Sequence, residues 1–368
     1  MGLTMNGKTA RSKKIGVVLF QLGGPDSTKA VEPFLYNLFL DEDIIDFPGA
    51  FLARRFLARK IASRRSVPIG KHYEAIGGKS PINELTERQR SALEKVLRSR
   101  NLDAVVVTAM RYWHPLTGEA IGELERHQVD EVLLLPLYPQ FSRATTYSSM
   151  NEWKRQVRQH NFSPPSRLIC CYPNHQKYIA ALVDAIERTL GTFGPIEPAD
   201  IDLVFSAHGV PLDFIRRGDP YKLQIEETVR CVLLTGGWSC PHTICYQSKV
   251  GPARWLEPSL TGTIRTLASA GRKNLLVVPI AFVTEHIETL HEINIEAREE
   301  ALHLGVNRFE MMPALNDHRL YIECLADLVE EALRQPGTPN ATCRMLHASH
   351  PGEPEPILCP WSSSASSA

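Results

Sequence analysis

Two stretches hold residues whose types and spacing suit proton and metal chemistry. The first is LVFSAHGVP, residues 203–211, where an apolar run of strand type ends in His208 and is followed by Gly209 and Pro211. Leu203, Val204 and Phe205 fit a strand buried on both faces, and the glycine and proline stop it. The imidazole is therefore expected at the carboxyl end of a sheet, where open α/β folds place their ligands. Read alone, His208 could equally close the strand with a hydrogen bond. The second stretch is PIAFVTEHIETLHEINIE, residues 279–296, where a buried strand turns into a helix carrying His286, Glu288, Glu292 and Glu296. The three glutamates step by four, so on a helix they form one ridge, and like charges at that spacing repel by a few tenths of a kcal/mol per pair. A solvated acidic face is the ordinary explanation of such a run; a path for cations or protons would give its cost a purpose. Two histidines from two strand ends, with carboxylates beside one, suit either a divalent metal or proton removal near neutral pH. HExxH is absent, and His286 and His291 do not have zincin spacing, so a metalloprotease is poorly supported.

These residues need a scaffold, and the pattern supplies one. An apolar strand over 15–20 ends in Gln21-Leu22-Gly23-Gly24-Pro25, without the GxGxxG or phosphate-loop lysine of a nucleotide site. Strands over 104–110, 132–137 and 167–171 end in loops opened by Arg111, Tyr138 and Tyr172, with a helix over 147–160 between the last two. The order then repeats: helix 174–190, strand 203–207, helix 220–234, a strand ending at Gln247-Ser248-Lys249, helix 260–270, strand 274–280, helix 285–304 and a last strand over 309–312. Buried strands alternating with helices mark parallel sheets covered on both faces. The expected fold is α/β, with two similar lobes and a cleft between their strand-end loops. The lobes fall at 14–173 and 174–333, between a polar start at 1–13 and a Pro- and Ser-rich tail at 334–368.

The bulk numbers agree with two lobes. The chain has 368 residues, room for two domains at roughly 150 residues each. Lys+Arg and Asp+Glu both total 41, so no excess positive charge speaks for nucleic acid, and a small-molecule partner is expected. The polar, basic start has no signal-peptide pattern or membrane span, and eight cysteines in a chain this long are not a disulfide scaffold. A cytoplasmic protein is expected, with Cys170 and Cys171 as buried apolar residues of a strand.

One segment departs from the rest. Over 47–65, Phe51, Leu52, Phe56, Leu57 and Ile61 alternate with Arg54, Arg55, Arg59, Lys60, Arg64 and Arg65, behind an apolar tip of Phe47 and Pro48. This is a basic amphipathic helix. It is either a plain surface helix or a lip, from Phe47 to Ile61, that touches an anionic membrane surface or a large apolar ligand bearing carboxylates.

In chain order stand VLFQLGGP, YEAIGGKSPI, MRYWHPLT, LPLYPQFS, LVFSAHGVP, RGDPY, YQSKVGPARW and PIAFVTEHIETLHEI. Together they resemble the ferrochelatases, enzymes that insert Fe(II) into protoporphyrin in haem synthesis, over residues 14–333. The resemblance implies two Rossmann-like lobes around a porphyrin cleft. By position it makes His208 the proton-accepting and metal-handling histidine, and His286 and Glu288 the metal-side pair. Glu292 continues an acidic relay, with His208 and Glu288 as ligands of the incoming iron. Leu22, Tyr73, Arg111, Tyr138, Trp255 and Phe282 match residues that shape the porphyrin pocket. The lip then reads as a peripheral membrane contact, and ferrous iron as substrate rather than cofactor. Some members carry a [2Fe-2S] cluster with a cysteine in the YPQ loop and a close-spaced group at the C-terminus. Here the loop position is Arg143 and the tail offers Cys343 and Cys359, so that arrangement is absent. Cys231, Cys240 and Cys245 leave a different cluster open. Two rivals remain: coproporphyrin as substrate, and a porphyrin or haem carrier without chemistry.

Overall fold

The computed structural model describes residues 13–44, 50–249 and 253–334, with side chains from residue 53 onward in the second segment. Phe47, Pro48, the side chains of Phe51 and Leu52, and the tail cysteines Cys343 and Cys359 lie outside the described residues.

Two four-stranded parallel sheets organise the chain, and both have the same strand order. In the first, β1 (Ile15–Gln21) lies between β2 (Ala104–Met110) and β3 (Glu131–Pro136), with β4 (Ser166–Leu168) at the edge. In the second, β5 (Asp202–His208) lies between β6 (His242–Gln247) and β7 (Asn274–Pro279), with β8 (Arg308–Met311) at the edge. The central strands β1 and β5 are buried along nearly their whole length, as their unbroken apolar runs require.

The helices are α1 (Val31–Leu40), α2 (Ala50–Ala75), α3 (Ile82–Ser99), α4 (Thr117–His127), α5 (Ser148–His160) and α6 (Gln176–Thr192) in the first half. α7 (Leu212–Arg216), α8 (Tyr221–Gly236), α9 (Leu260–Ser269), a π-helix (Glu288–Ala297), α10 (Arg298–His303) and α11 (Arg319–Arg334) follow. In α3 the buried Ile82, Thr86, Gln89, Leu93 and Leu97 recur at three and four residues, giving one stripe that lies on β2. The last helix, α11, returns to pack on α3 and α6, so Tyr321, Leu325 and Leu328 share a core with Leu19 of β1 and Leu203 of β5.

Polar side chains sew the two sheets together at their carboxyl ends. Gln21 and Gln89 both donate to the Thr284 hydroxyl, at 3.3 and 3.0 Å. Gln140 donates to Thr228 at 3.0 Å, and Asp219 accepts from the Ser142 hydroxyl at 3.0 Å and the Arg143 amide at 2.8 Å. All these groups are buried or partly buried, where an unmade bond would cost about 1–3 kcal/mol. The loops that follow the strands of one sheet therefore meet those of the other.

Three expectations are corrected. The strand expected over 167–171 ends at Leu168; Cys170 and Cys171 are buried, but in a loop packed on Phe141, because β4 pairs only with Val132, Leu133 and Leu134 of β3. The helix expected over 285–304 is a π-helix for its first ten residues and an α-helix after Ala297. The lip helix does not stop at Arg65; it runs to Ala75, and the exposed Pro68 is tolerated within it. Its buried face is made by the small Ala58 and Ala62 and by Tyr73, so Phe56 is left 70% exposed.

Candidate active site

The end of β5 delivers His208 as the sequence pattern requires. Gly209 follows because its amide donates to the Gln247 carbonyl at 2.8 Å, and a Cβ there would stand 3.0 Å from that oxygen and 3.3 Å from the Trp255 ring. The close approach lets Trp255 and Phe282 flank the imidazole, with ring centres 6.4 and 6.5 Å away. The end of β7 turns through Phe282 and Thr284 into the π-helix and brings His286 against Phe282, with ring centres 4.7 Å apart.

Between the two histidines lies Glu288. One carboxylate oxygen is 3.7 Å from His208 Nε2 and the other 3.5 Å from His286 Nε2. The remaining nitrogen of His286 faces the Thr284 carbonyl at 3.0 Å, which fixes a proton on Nδ1 and turns Nε2 toward Glu288. His208 Nδ1 faces the Gly209 carbonyl in the same way. The 3.7 Å separation of His208 Nε2 from Glu288 is slightly wider than the roughly 3.4 Å between two ligands of one tetrahedral ion with bonds of about 2.0–2.2 Å, so a small inward movement would let both hold it.

Glu292 lies next along the ridge and is held by Ser248, whose hydroxyl donates to it, and by Gln247 at 3.4 Å. Gln247 is itself fixed by the Ser206 hydroxyl at 2.7 Å. Ser248 has φ +64°, a left-handed conformation that costs a non-glycine residue free energy, at the point where the chain leaves β6 to reach Glu292. Beyond it a cavity of about 680 Å³ is lined by Glu292, Glu296, Glu299 and Glu300 together with Ser248 and Lys249. The ridge thus runs outward, from a Glu288 side chain 20% exposed to a Glu296 side chain 53% exposed.

Burial and charge push the two inner carboxylates in opposite directions. Burial opposes ionisation of Glu288, but the charge of His208 and the hydrogen bond and charge of His286 outweigh it, so its pKa falls below the ordinary carboxylate range. Burial likewise opposes charge on His286, yet Glu288, with help from Glu285 and the Thr284 carbonyl, raises its pKa. Glu292 has no such cation in contact. Burial first, then the charge of Glu288, raise it to about 7, against a smaller opposing effect of the Ser248 hydrogen bond. A fixed anion thus stands beside a group able to take and release a proton near neutral pH.

The residues expected to shape a porphyrin pocket divide into two groups. Leu22 and Tyr73 join Trp113 and Ile287 in an apolar cluster beside the start of the π-helix. Tyr73 is buried, and burial together with the Glu288 charge raises its pKa. Trp255 and Phe282 border His208. Arg111 and Tyr138 form a separate group on the first lobe. Arg111 pairs with the buried Asp41 at 2.9 Å and donates to Ser148 at 2.8 Å, so its charge is already balanced. Gln247 and Ser248 hydrogen-bond to Glu288 and Glu292 and so join the candidate site; in the sequence their one signal is a polar pair at the end of a strand.

A family model described as Ferrochelatase matches residues 14–333. The chain belongs to the ferrochelatase family. It is 48% identical to the ferrochelatase of Geobacter metallireducens over 321 residues, 87% of this chain and 99% of the relative. The ferrochelatase of a Picosynechococcus species is 42% identical, over 88% of this chain and 83% of the relative. Among solved structures, SirB from Bacillus subtilis with Fe3+ superposes at TM-score 0.51 over 87% of this chain and 95% of its own, at 11% identity, a likeness of fold alone. As a ferrochelatase-family enzyme the chain is a lyase that inserts a metal ion into a porphyrin. Among the described residues, no helix is long and apolar enough to cross a membrane.

Proposed function

We propose that the chain inserts Fe(II) into protoporphyrin IX, with His208 as the group that takes a pyrrole proton and meets the metal. The reaction must remove two pyrrole protons and bend the macrocycle so that its nitrogen lone pairs reach the ion. A positioned imidazole can take a proton from a reacting group, and such a base typically contributes about 10²- to 10⁴-fold. The observation that carries the reading is the placement of Glu288 between His208 and His286, at 3.7 and 3.5 Å. The anion stabilises the imidazolium that forms when His208 takes the proton, and its oxygens offer a hard, loosely holding ligand to Fe(II).

Glu292, raised to about 7, then accepts the proton and passes it toward the acid-lined cavity. Trp255, Phe282, Leu22 and Tyr73 grip the ring, and its distortion draws on that binding energy. Arg111 and Tyr138 shape the pocket from the first lobe, Arg111 through its fixed pairing with Asp41. Protoporphyrin is favoured over coproporphyrin by the apolar character of Leu22, Tyr73, Trp113 and Ile287, since additional carboxylates would have to be desolvated against them. A carrier would need this pocket but neither the base nor the acidic ridge.

The same reading gives the lip a membrane role. Phe56 and Val67 are 70% and 68% exposed on α2, beside the exposed Arg55, Arg59 and Lys60, which suits shallow contact with an anionic lipid surface. The deciding experiment for substrate is an anaerobic steady-state assay with Fe(II) and each porphyrin in turn. Protoporphyrin is expected to give the higher kcat/KM; a higher value with coproporphyrin would replace it as substrate.

A further inference from the structure

Among the described residues, one group of three side chains brings ligand atoms suited to a metal within 4.8 Å of one another, apart from His208, Glu288 and His286. It comprises His72, in the last turn of α2, with His291 and Glu296 of the π-helix; the two histidines are outside the reaction site, and Glu296 is shared with the outer end of the acidic ridge. In an α-helix, residues five apart point to different sides; with i→i+5 hydrogen bonding they lie one above the other. The π-helix therefore places His291 and Glu296 on one face, with Nδ1 3.6 Å from the carboxylate. His72 completes the face from the lip helix, its ring stacked on His291 at 4.1 Å between centres and 11° between planes.

A second feature points to a ligand. His291 is 7% exposed, and its Nδ1 has no hydrogen-bond partner. A buried polar atom without a partner has lost its hydration with nothing in return. This one points toward Glu296 at a distance too long for a hydrogen bond and suitable for sharing an ion.

We propose that His72, His291 and Glu296 form a binding site for a divalent first-row ion of the zinc class, distinct from the His208–Glu288 pair, that pins the lip helix to the π-helix. Two imidazoles and one carboxylate select this class over Mg²⁺ or Ca²⁺, which take oxygen ligands. Three protein ligands leave a fourth position for water. A tetrahedral ion with bonds of about 2.0–2.2 Å holds its ligand atoms roughly 3.4 Å apart, so closure requires a contraction of about 1.5 Å and a splaying of the stacked rings. Glu296, 53% exposed, and His72, half-buried at a helix end, have the freedom to supply both. Glu299 also faces His291 and adds negative charge at the rim. An ion there would join the element that carries the exposed Phe56 to the element that carries Glu288.

The test reads metal binding and does not depend on turnover. Untagged full-length chain with His208→Ala, which removes a ligand from the reaction site, is titrated with Zn(II) against a competing indicator under reducing conditions. Two further proteins add His72→Gln or His291→Phe to that background. The parent is expected to bind one Zn(II) more than either double variant, or to bind it more than about tenfold tighter, since even outer-shell changes cost 10- to 100-fold. Co(II) should give visible tetrahedral bands in the parent that both double variants lose. The shared cysteines cancel in the comparison, and His72→Gln, at a half-exposed helix end, keeps the test valid if His291→Phe fails to fold. Equal Zn(II) stoichiometry and affinity in the parent and the His72→Gln protein would overturn the proposal.

Discussion

The two lobes share a strand order and differ in what their strand ends carry. The central strands β1 and β5 are seven residues each, and Gln21 closes one where His208 closes the other. On the first lobe the corner holds neutral or balanced groups: Gln21 bonded to Thr284, Leu22 in an apolar cluster, and Arg111 paired with Asp41. On the second it holds titratable groups set against one another: His208, Glu288, His286 and Glu292. Topology fixes where functional side chains can stand, and the loops decide which chemical groups each lobe presents there.

That division predicts a ranking of effects. Glu288→Gln should lower kcat by about 10²- to 10⁴-fold while porphyrin affinity, read by fluorescence quenching, stays within a few-fold. Near wild-type turnover would show that the second lobe's charges are not needed for the chemistry. Leu22→Ala, on the first lobe, should raise KM by about tenfold with kcat little changed, the loss expected for one apolar contact of 1–2 kcal/mol. A fall in kcat as steep as that of Glu288→Gln would break the division.

A smaller effect separates the two carboxylates. Glu292 is raised from its ordinary 4.5 to about 7, so the unfolded chain releases that proton before the folded one does. Its contribution to stability is therefore present below pH 4.5 and is lost as pH rises through about 7. Glu288 is shifted the other way, and its contribution is lost only as pH falls below the ordinary range. In thermal melts, Glu292→Gln should gain stability relative to wild type as pH rises from 4.5 to about 7 and run parallel above it. Parallel curves throughout that window would contradict the raised pKa. The least effect on catalysis is expected at the lip: Phe56→Ser with Val67→Ser should reduce sedimentation with anionic liposomes and leave kcat with detergent-solubilised porphyrin unchanged. Unaltered partitioning would make α2 a plain surface helix.

Much of this arrangement was legible in the sequence because buried parallel strands are continuous apolar runs and end at glycine or proline. His208 and the 286–296 row could be placed at strand ends on that ground alone. The π-helix could not be read, because steps of four keep glutamates on one side of either helix type; only the pairing of His291 with Glu296 distinguishes them. The last helix, α11, was passed over although Tyr321, Leu325, Leu328 and Val329 give it a clear stripe, since it follows a strand that looked like the end of the fold. Contacts between residues far apart in the chain left no local trace: Asp41 neutralises Arg111, and His72 stacks on His291. What the apolar stripe did not reveal is that Ala58 and Ala62, small and inconspicuous, form the buried face of α2 while Phe56 faces outward.

The central claim is that His208 performs the chemistry and the surrounding walls hold the ring. It is tested most directly by measuring porphyrin binding and anaerobic Fe(II) insertion on the same preparation of His208→Ala. Binding within a few-fold of wild type with insertion reduced by at least about 10²-fold is the predicted result. Insertion near the wild-type rate would contradict it.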